Sequence, residues 1–138
     1  MKVTRLYTGP DDEAYLEDLE IEFDSNGPGA NSASFPVERL FFRSFPVRLV
    51  VDYHVGPRRQ WVMVVSGVME IECKSGTRRF LPGELLFVDD LTGHGHITRN
   101  VEGAWVLAYL PTPQGFDYEA LLRHRVRNVA GKDPRGRS

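Results

Sequence analysis

The stretch VMEIECKSGTRRFLPGELLFVDD, residues 68–90, decides the fold. Its first part alternates apolar residues at 69, 71 and 73 with charged residues at 70, 72 and 74, and this period of two is typical of a half-buried strand. The letters SGT at 75–77 are a hairpin turn signal, and a Pro-Gly pair at 82–83 opens a further apolar run. The stretch therefore predicts short consecutive strands joined by tight turns.

The same pattern extends to both sides. Residues 47–55 and 60–67 are rich in β-branched and aromatic side chains, and two more strands are expected between 95 and 110. Residues 116–126, FDYEALLRHRV, carry apolar residues near helical spacing and predict one C-terminal α-helix. Six to eight short strands and one helix predict an all-β protein, either a closed β-barrel or a two-sheet jelly roll.

The chain has 138 residues, which is the size of one domain. We divide this single domain, 1–138, into an N-terminal arm and loop (1–35), a barrel core (36–111) and a C-terminal helix with a basic tail (112–138). The acidic run Asp11–Asp24 and the arginine-rich C-terminus are interpreted as solvated ends, with packing against a partner subunit as the functional alternative.

Composition excludes several classes of protein. The net charge of -2 does not favour a nucleic-acid-binding domain. A single cysteine, Cys73, excludes an internal disulfide and any zinc site built from several cysteines. We find neither a signal-peptide pattern nor an apolar run of about 20 residues, so we expect a cytoplasmic protein without a membrane-spanning segment.

Three of the four histidines lie in two segments, His54 in DYHVGPRRQ and His94 and His96 in DDLTGHGHITRN. A lone histidine is most simply a hydrogen-bonded surface or core residue. Two histidine-bearing segments, each at a strand end beside glycine and proline turns, favour a shared pocket instead. Residues two apart on an extended strand point to one face, although Gly93 and Gly95 allow the backbone to turn here.

These residues resemble the first motif of the cupin superfamily, and the central third of the chain is similar to small single-domain bacterial cupins. That motif has two histidines one residue apart, then a glutamate and a closing glycine. His54 takes the place of the first histidine, and Gly67 that of the closing glycine. Gly56 stands at the second histidine and Gln60 at the glutamate, so the motif is degenerate.

The second cupin motif has a glycine, a proline-glycine pair, a histidine and an asparagine. Gly83 corresponds to its opening, Asp89 falls where the proline would be, and Gly93 follows. His94 or His96 then supplies the histidine before Asn100, and His96 is the pocket histidine in the variant common among small cupins.

The resemblance implies a divalent first-row metal such as zinc, iron, manganese or nickel, held here by His54, Gln60 and His96. Gly56 cannot ligate, and the neutral amide of Gln60 is a poorer ligand than a carboxylate. His94 and Asp90 are further candidate donors. The alternative is a pocket that works without any metal.

Without metal, His54 and His96 are candidate acid–base catalysts beside Gln60, because histidine titrates near neutral pH. One of the two arginines at 58 and 59 is expected to point inward and pair with a substrate carboxylate, while the other points out. The full set of predicted ligand-binding residues is Arg58, Arg59, Tyr53, Trp61, Asp90 and His94.

We therefore predict a cupin-type enzyme of small-molecule metabolism. It would bind an organic acid or carbonyl compound inside the barrel and act as an isomerase, lyase, cyclase or oxygenase, by histidine acid–base or weakly metal-assisted chemistry. The alternative is a non-catalytic cupin that binds or senses a small ligand, since one fold hosts both. The resemblance further implies a homodimer, with no nucleic acid or membrane as partner.

Overall fold

The computed structural model describes residues 1–115 and 126–128. This part of the chain contains strands and turns but no helix, which confirms the all-β prediction. No helix within it has the length and apolar content that a membrane span requires. The strands are β1 (Lys2–Thr8), β2 (Ala14–Ile21), β3 (Asp24–Asn26), β4 (Gly29–Asn31), β5 (Phe41–Phe45), β6 (Val50–His54), β7 (Gln60–Cys73), β8 (Gly76–Phe80), β9 (Leu85–Asp89), β10 (His96–Pro111) and β11 (Val126–Asn128).

The predicted C-terminal helix spans 116–126, and its residues 116–125 lie outside the described part of the chain, as does the basic tail from 129 onward. The last residue of that predicted helix, Val126, begins β11, which pairs with β2. His124 also lies outside the described residues.

The two long strands, β7 and β10, each pair with different neighbours at their two ends. We call the part around the start of β7 and the end of β10 one half of the fold, and the part around the end of β7 and the start of β10 the other half. The main sheet has the order β11-β2-β1-β9-β7-β10-β5, while β8 pairs with β7 and β6 pairs with β10 off this path. The first residues of β7 pair with β9 and its last residues with β8. The end of β10 pairs with β5 and its start with β6. Each long strand thus contributes to both halves.

Sequence analysis ends a strand at Gly67, yet β7 continues through this residue to Cys73. Gly67 has a φ of +79°, and a Cβ there would lie 2.8 Å from the carbonyl oxygen of Ala104. Only glycine combines this conformation with so close an approach to β10. The pairing with β10 shifts register at Gly67 but continues on both sides of it, which explains why one strand was predicted as two.

The N-terminal boundary differs from the prediction, because residues 1–35 are not merely an arm and a loop. Strands β1 and β2 pair with each other, and β1 lies parallel to β9 in the main sheet. The acidic charges of β2 find partners: Glu17 accepts a hydrogen bond from Arg5, and Asp18 pairs with Arg78. An acidic segment can enter the sheet because its buried charges are paired.

The sheet buries apolar side chains on both faces. Along β7 and β9, the even-numbered Val62, Val64 and Leu86 belong to the interior cluster. The odd-numbered Trp61 and Phe87 belong to a second cluster with Val3, Leu19 and Ile21. This is the alternation of a strand whose two faces are both covered. The interior cluster forms the wall of the candidate site.

Candidate active site

A cavity of about 570 Å³ lies inside the barrel, a volume typical of small-molecule sites. Strands β5, β6, β7, β9 and β10 and the turn before β7 provide its walls. Much of its lining is aromatic or aliphatic, including Phe41, Phe45, Met69, Trp105 and Leu107. The polar lining side chains are His54, His96, Gln60, Arg58, Arg43, Thr98 and Tyr109.

His54 and His96 are cross-strand partners on β6 and β10. Directly opposed residues of an antiparallel pair project to the same face, and the two imidazole centroids lie 4.4 Å apart. Gly95 makes this approach feasible, because a Cβ at position 95 would lie 2.0 Å from the carbonyl oxygen of His54. The structure thus brings together two residues that are separated by about forty positions in sequence.

His96 is fixed by a buried carboxylate. Its Nδ1 lies 2.5 Å from Oδ2 of Asp90, and these side chains are 6% and 0% exposed. A carboxylate can only accept, so Nδ1 of His96 carries the proton and donates it to this bond. Nε2 of His96 is then the nitrogen that remains for a ligand. The pairing also offsets positive charge on the ring when His96 takes up a second proton.

His54 is oriented in a similar way by the backbone. Its Nδ1 lies 2.8 Å from the carbonyl oxygen of Asp52, which can only accept a hydrogen bond. The proton of a neutral His54 ring is therefore on Nδ1, and Nε2 has a free electron pair. The two facing rings each use Nδ1 for support and keep Nε2 for chemistry.

Gly56, which the motif resemblance aligns with a histidine, has no room for a side chain. A Cβ there would lie 2.6 Å from Cγ1 of Val88 and 3.1 Å from Oδ1 of Asp90. The Gly56 amide donates to the Asp90 carbonyl oxygen at 2.9 Å, so the chain passes directly over this carboxylate. Because position 56 has no side chain, the Asp90 carboxylate has room to lie beside this backbone while it contacts His96.

This donor set does not fit a tightly held metal ion. Within the described residues no group of three or more histidine, cysteine, aspartate or glutamate side chains is placed to hold one. His54, His96 and the neutral Gln60 remain, whereas catalytic zinc sites use three protein ligands drawn from ionised or imidazole groups. Metal binding by His54, Gln60 and His96 stays a prediction.

The two neighbouring arginines diverge. Arg58 lines the cavity and donates from Nη1 to Oε1 of Gln60 at 3.2 Å. Arg59 donates from Nε to Oδ1 of Asp89 at 2.7 Å and is not part of the lining. Gln60 itself is 2% exposed and faces the cavity. Arg58, in the turn before β7, and Gln60, the first residue of β7, therefore face the cavity, whereas Arg59 between them is directed to Asp89.

Besides Arg59, three further predicted ligand-binding residues lie away from the cavity wall, and Asp90 is connected to the cavity only through His96. Tyr53 and His94 stack on each other at the surface, with ring centroids 3.9 Å apart. His94 also contacts Glu13 through Nδ1 at 3.0 Å. Trp61 packs against Phe87 in the second apolar cluster, on the other face of β7. The structure does not bring these three side chains to His54 and His96.

Sequence reasoning did not single out Arg43 and Tyr109 as site residues, although both line the cavity. The guanidinium of Arg43 lies over the Phe45 ring, 4.9 Å from its centroid. Burial raises the pKa of Tyr109 above its ordinary value of 10.0, and the charges of Arg43 and Arg58 oppose that rise. Strand alternation is the sequence feature that could have identified them. Residues 105, 107 and 109 lie on one face of β10, and residues 41, 43 and 45 lie on one face of β5.

No protein-family model matches the chain. No curated protein matches it either. Solved structures that resemble it include the sugar 3,4-ketoisomerase QdtA from Thermoanaerobacterium thermosaccharolyticum in complex with TDP, with 14% identity, coverage of 73% of this chain and 82% of that one, and a TM-score of 0.45. A histidine-to-asparagine mutant of the same protein with TDP-4-keto-6-deoxyglucose has 11% identity, coverage of 78% and 91%, and a TM-score of 0.45. Similarity at this level says nothing about the activity of this chain.

Proposed function

We propose that this protein is an enzyme that binds a small carbonyl compound or organic acid inside the barrel and moves a proton on it by histidine acid–base catalysis. The observation that carries the proposal is the buried Asp90–His96 pair, which lies beside His54 on the cavity wall with 4.4 Å between the imidazole centroids. Isomerisation through an enol is the reaction class that this arrangement fits best.

The proposed chemistry balances with these two histidines. Nε2 of neutral His96 takes a proton from the carbon next to the substrate carbonyl, while protonated His54 gives its Nε2 proton to the carbonyl oxygen. On an α-hydroxy carbonyl compound the product is an enediol. Isomerisation is completed when neutral His54 takes the proton from the hydroxyl on the first carbon and protonated His96 gives its proton to the former carbonyl carbon, so that the carbonyl and the hydroxyl exchange places. Asp90 stays ionised and stabilises the imidazolium that forms on His96, as an acceptor-only partner of Nδ1.

Arg58 supports substrate orientation. Arg58 has N–H groups besides the one that it donates to Gln60, and a guanidinium matches a carboxylate in fork geometry. The apolar walls around the histidines exclude water, which strengthens electrostatic contacts inside the cavity.

Hydrogen–deuterium exchange at carbon tests the proposal. The protein is incubated in deuterated buffer with a panel of small keto acids and ketones, and loss of the proton signal next to the carbonyl is followed by NMR. We expect exchange on at least one compound, and His96→Asn should slow it by a factor of about 100 or more. His94→Asn is the matched control, because His94 lies at the surface and should leave the rate unchanged.

If no compound exchanges faster than in buffer, or if His94→Asn and His96→Asn behave alike, the acid–base proposal is wrong. Non-catalytic binding is the second candidate. It is favoured by the largely aromatic and aliphatic lining, which suits a ligand that is held rather than converted. Saturable binding of a panel compound without any exchange would support this second candidate.

A further inference from the structure

The side-chain amide of Gln60 has a fixed orientation in the cavity wall. Nη1 of Arg58 lies 3.2 Å from one end of this amide. A guanidinium can only donate hydrogen bonds, so the amide atom that faces it is Oε1, the acceptor. Nε2 of Gln60, which carries both N–H groups of the amide, is therefore turned away from Arg58.

These two N–H groups are unused and open to the cavity. Gln60 lines the cavity, and Nε2 of this residue donates to no group within the described part of the chain. The fully enclosed polar side-chain atoms that lack a partner there are Oδ1 of Asp90, Oδ1 of Asn100 and Nε1 of Trp105. Nε2 of Gln60 is not among them, so it can be reached from the cavity. A ligand oxygen would satisfy it.

Gln60 lies on the same stretch of the wall as the histidine pair. It is the cross-strand partner of Val88 on β9, and Asp90, two residues further along the chain, turns inward to His96. Diagonal neighbours in a sheet lie about 7–8 Å apart, so the Gln60 amide and the His96 ring can contact one substrate group between them. His54 lines the same cavity beside His96.

Removal of a proton next to a carbonyl group places negative charge on the carbonyl oxygen. In the proposed reaction His96 removes this proton, and His54 gives its own proton to the oxygen. A carbonyl oxygen has two lone pairs, so it can accept from His54 and from one further donor at the same time. Donors aimed at an oxygen on which charge develops lower the barrier, and they do so more strongly in an apolar cavity than in water.

We infer that Gln60 is the oxyanion donor of this site: an N–H group of its Nε2 hydrogen-bonds to a ligand oxygen that carries negative charge, which in the proposed reaction is the substrate carbonyl oxygen. The inference rests on the proposed function and assigns Gln60 a role in it. Arg58 strengthens the donor through Oε1, because a cation at the acceptor end of an amide polarises its N–H groups. An ionised glutamate only accepts hydrogen bonds, so the cupin glutamate could not fill this role.

The donor role and the predicted role of Gln60 as a metal ligand exclude each other. A metal ion would bind Oε1, because the amide nitrogen is a donor only. Oε1 already accepts a hydrogen bond from Arg58, and the positive charge of Arg58 repels a cation at this position. The orientation of the amide therefore favours the donor role.

The chain has two glutamines, Gln60 and Gln114, which makes a direct test possible. Selective isotope labelling of glutamine gives two side-chain amide groups in the NMR spectrum, and Gln114→Met assigns them. The probe is para-nitrophenol, whose phenolate oxygen resembles an enolate oxygen, and its counterpart is para-nitroanisole, which cannot ionise. We expect the phenolate to move the Gln60 amide proton signals downfield and to leave those of Gln114 in place. Para-nitroanisole should leave both almost unchanged.

Gln60→Met removes the amide and keeps a side chain of similar length. We expect it to weaken phenolate binding by about tenfold or more and to leave para-nitroanisole binding unchanged. Carbon exchange at saturating compound should slow by a factor of about 100 or more, with little change in the concentration for half saturation, because this donor acts on the developing charge. Gln114→Met is the matched control, since Gln114 is exposed and outside the cavity.

A second variant separates loss of the donor from disturbance of Arg58. Gln60→Glu keeps an acceptor for Arg58 but has no N–H group, so it should slow exchange as Gln60→Met does. The inference is overturned if both variants exchange as fast as the wild type or if the phenolate leaves the Gln60 signals in place. It is also overturned if Zn²⁺ moves these signals and Gln60→Met weakens Zn²⁺ binding, because Gln60 is then a metal ligand.

The same measurements distinguish failure of this inference from failure of the proposed function. Loss of exchange in His96→Asn together with an unchanged rate in Gln60→Met would leave the acid–base step standing and refute the donor role. Phenolate binding that moves the Gln60 signals and is lost in Gln60→Met, without exchange on any compound of the keto-acid and ketone panel, would do the reverse.

Discussion

Asp89 and Asp90 are consecutive in sequence, and their carboxylates lie on opposite sides of the barrel wall. Asp89 accepts hydrogen bonds from Arg5 at 2.6 Å and from Arg59 at 2.7 Å, on the side away from the cavity. Asp90 turns inward to His96. One carboxylate therefore belongs to a structural ion-pair cluster and the other to the candidate site, so their substitution should have different consequences.

Asp90→Asn should reduce catalysis more than stability. An amide retains a hydrogen-bond acceptor for Nδ1 of His96 but carries no charge to stabilise the imidazolium. We expect carbon exchange to slow by a factor of about 100 or more. The rate is measured by NMR in deuterated buffer on folded protein. An unchanged rate in Asp90→Asn would show that the pair does not support the proton transfer.

Asp89→Asn should show the opposite pattern. Arg5 and Asp89 side chains are 9% and 6% exposed, so the variant leaves a buried guanidinium with fewer counter-charges. We expect a loss of about 3 kcal/mol in the free energy of unfolding. Urea denaturation measures it, and the exchange rate per folded molecule should stay close to that of the wild type. A stable Asp89→Asn protein with lost exchange would contradict this division of roles.

Gly95→Ala should disrupt the histidine pair. The residue has a φ of +80°, and a Cβ would collide with the backbone of His54. We expect a loss of at least about 2 kcal/mol from backbone strain and the clash together. Gly27→Ala is the matched control, because Gly27 has a φ of +73° but open space around it, and should lose only about 1 kcal/mol. Equal losses in urea denaturation would mean that β6 moves aside without cost.

Gln60→Glu should raise the affinity for divalent metal ions. The variant adds a carboxylate to the cavity wall beside His54 and His96 and so completes a set of three ionisable or imidazole donors. Calorimetric titration with Zn²⁺ or Mn²⁺ should show a gain of about tenfold or more. Gln114→Glu adds the same charge at an exposed position outside the cavity and should show none. Absence of any gain at position 60 would mean that the three side chains do not converge on one ion.

Tyr15 should titrate unusually late. Its hydroxyl donates to Oδ2 of Asp11 at 2.5 Å, and this bond raises the pKa of Tyr15 to about 12. Because the folded pKa lies above the ordinary value of 10.0, the contribution of this bond to stability is complete below pH 10.0 and is lost as the pH rises through about 12. In Asp11→Asn, tyrosinate absorbance should develop at lower pH, whereas Asp12→Asn should leave the titration as it is.

The strands were predictable because their signal is local. Met69, Ile71 and Cys73 are buried at 2%, 1% and 7%, as the alternation in residues 68–74 indicates. The entry of β2 into the sheet was not predictable in this way. Its acidic side chains pair with Arg78 and Arg5. Arg78 is 60 residues away from Asp18 in sequence, so the local sequence pattern around Asp18 does not indicate this partner.

The candidate site was predictable only in part, for the same reason. The motif resemblance named His54, His96 and Gln60, which the structure places on one cavity wall. Arg43 stands in a strand that sequence analysis treated as generic, and its role depends on how β5 pairs with β10. Trp61 and Trp105 both stand in apolar strand segments, but they lie on opposite faces of the sheet: Trp105 belongs to the interior cluster and Trp61 to the second cluster. Homodimer formation and metal binding stay predictions.

The continuity of β7 and β10 through both halves bears on how the barrel opens. Neither half can separate from the other without breaking these two strands, so the described fold should unfold cooperatively as one unit. In contrast, β5 and β6 each pair with β10 alone among the described strands, and both line the cavity. Their amides should therefore exchange with solvent before those of β7.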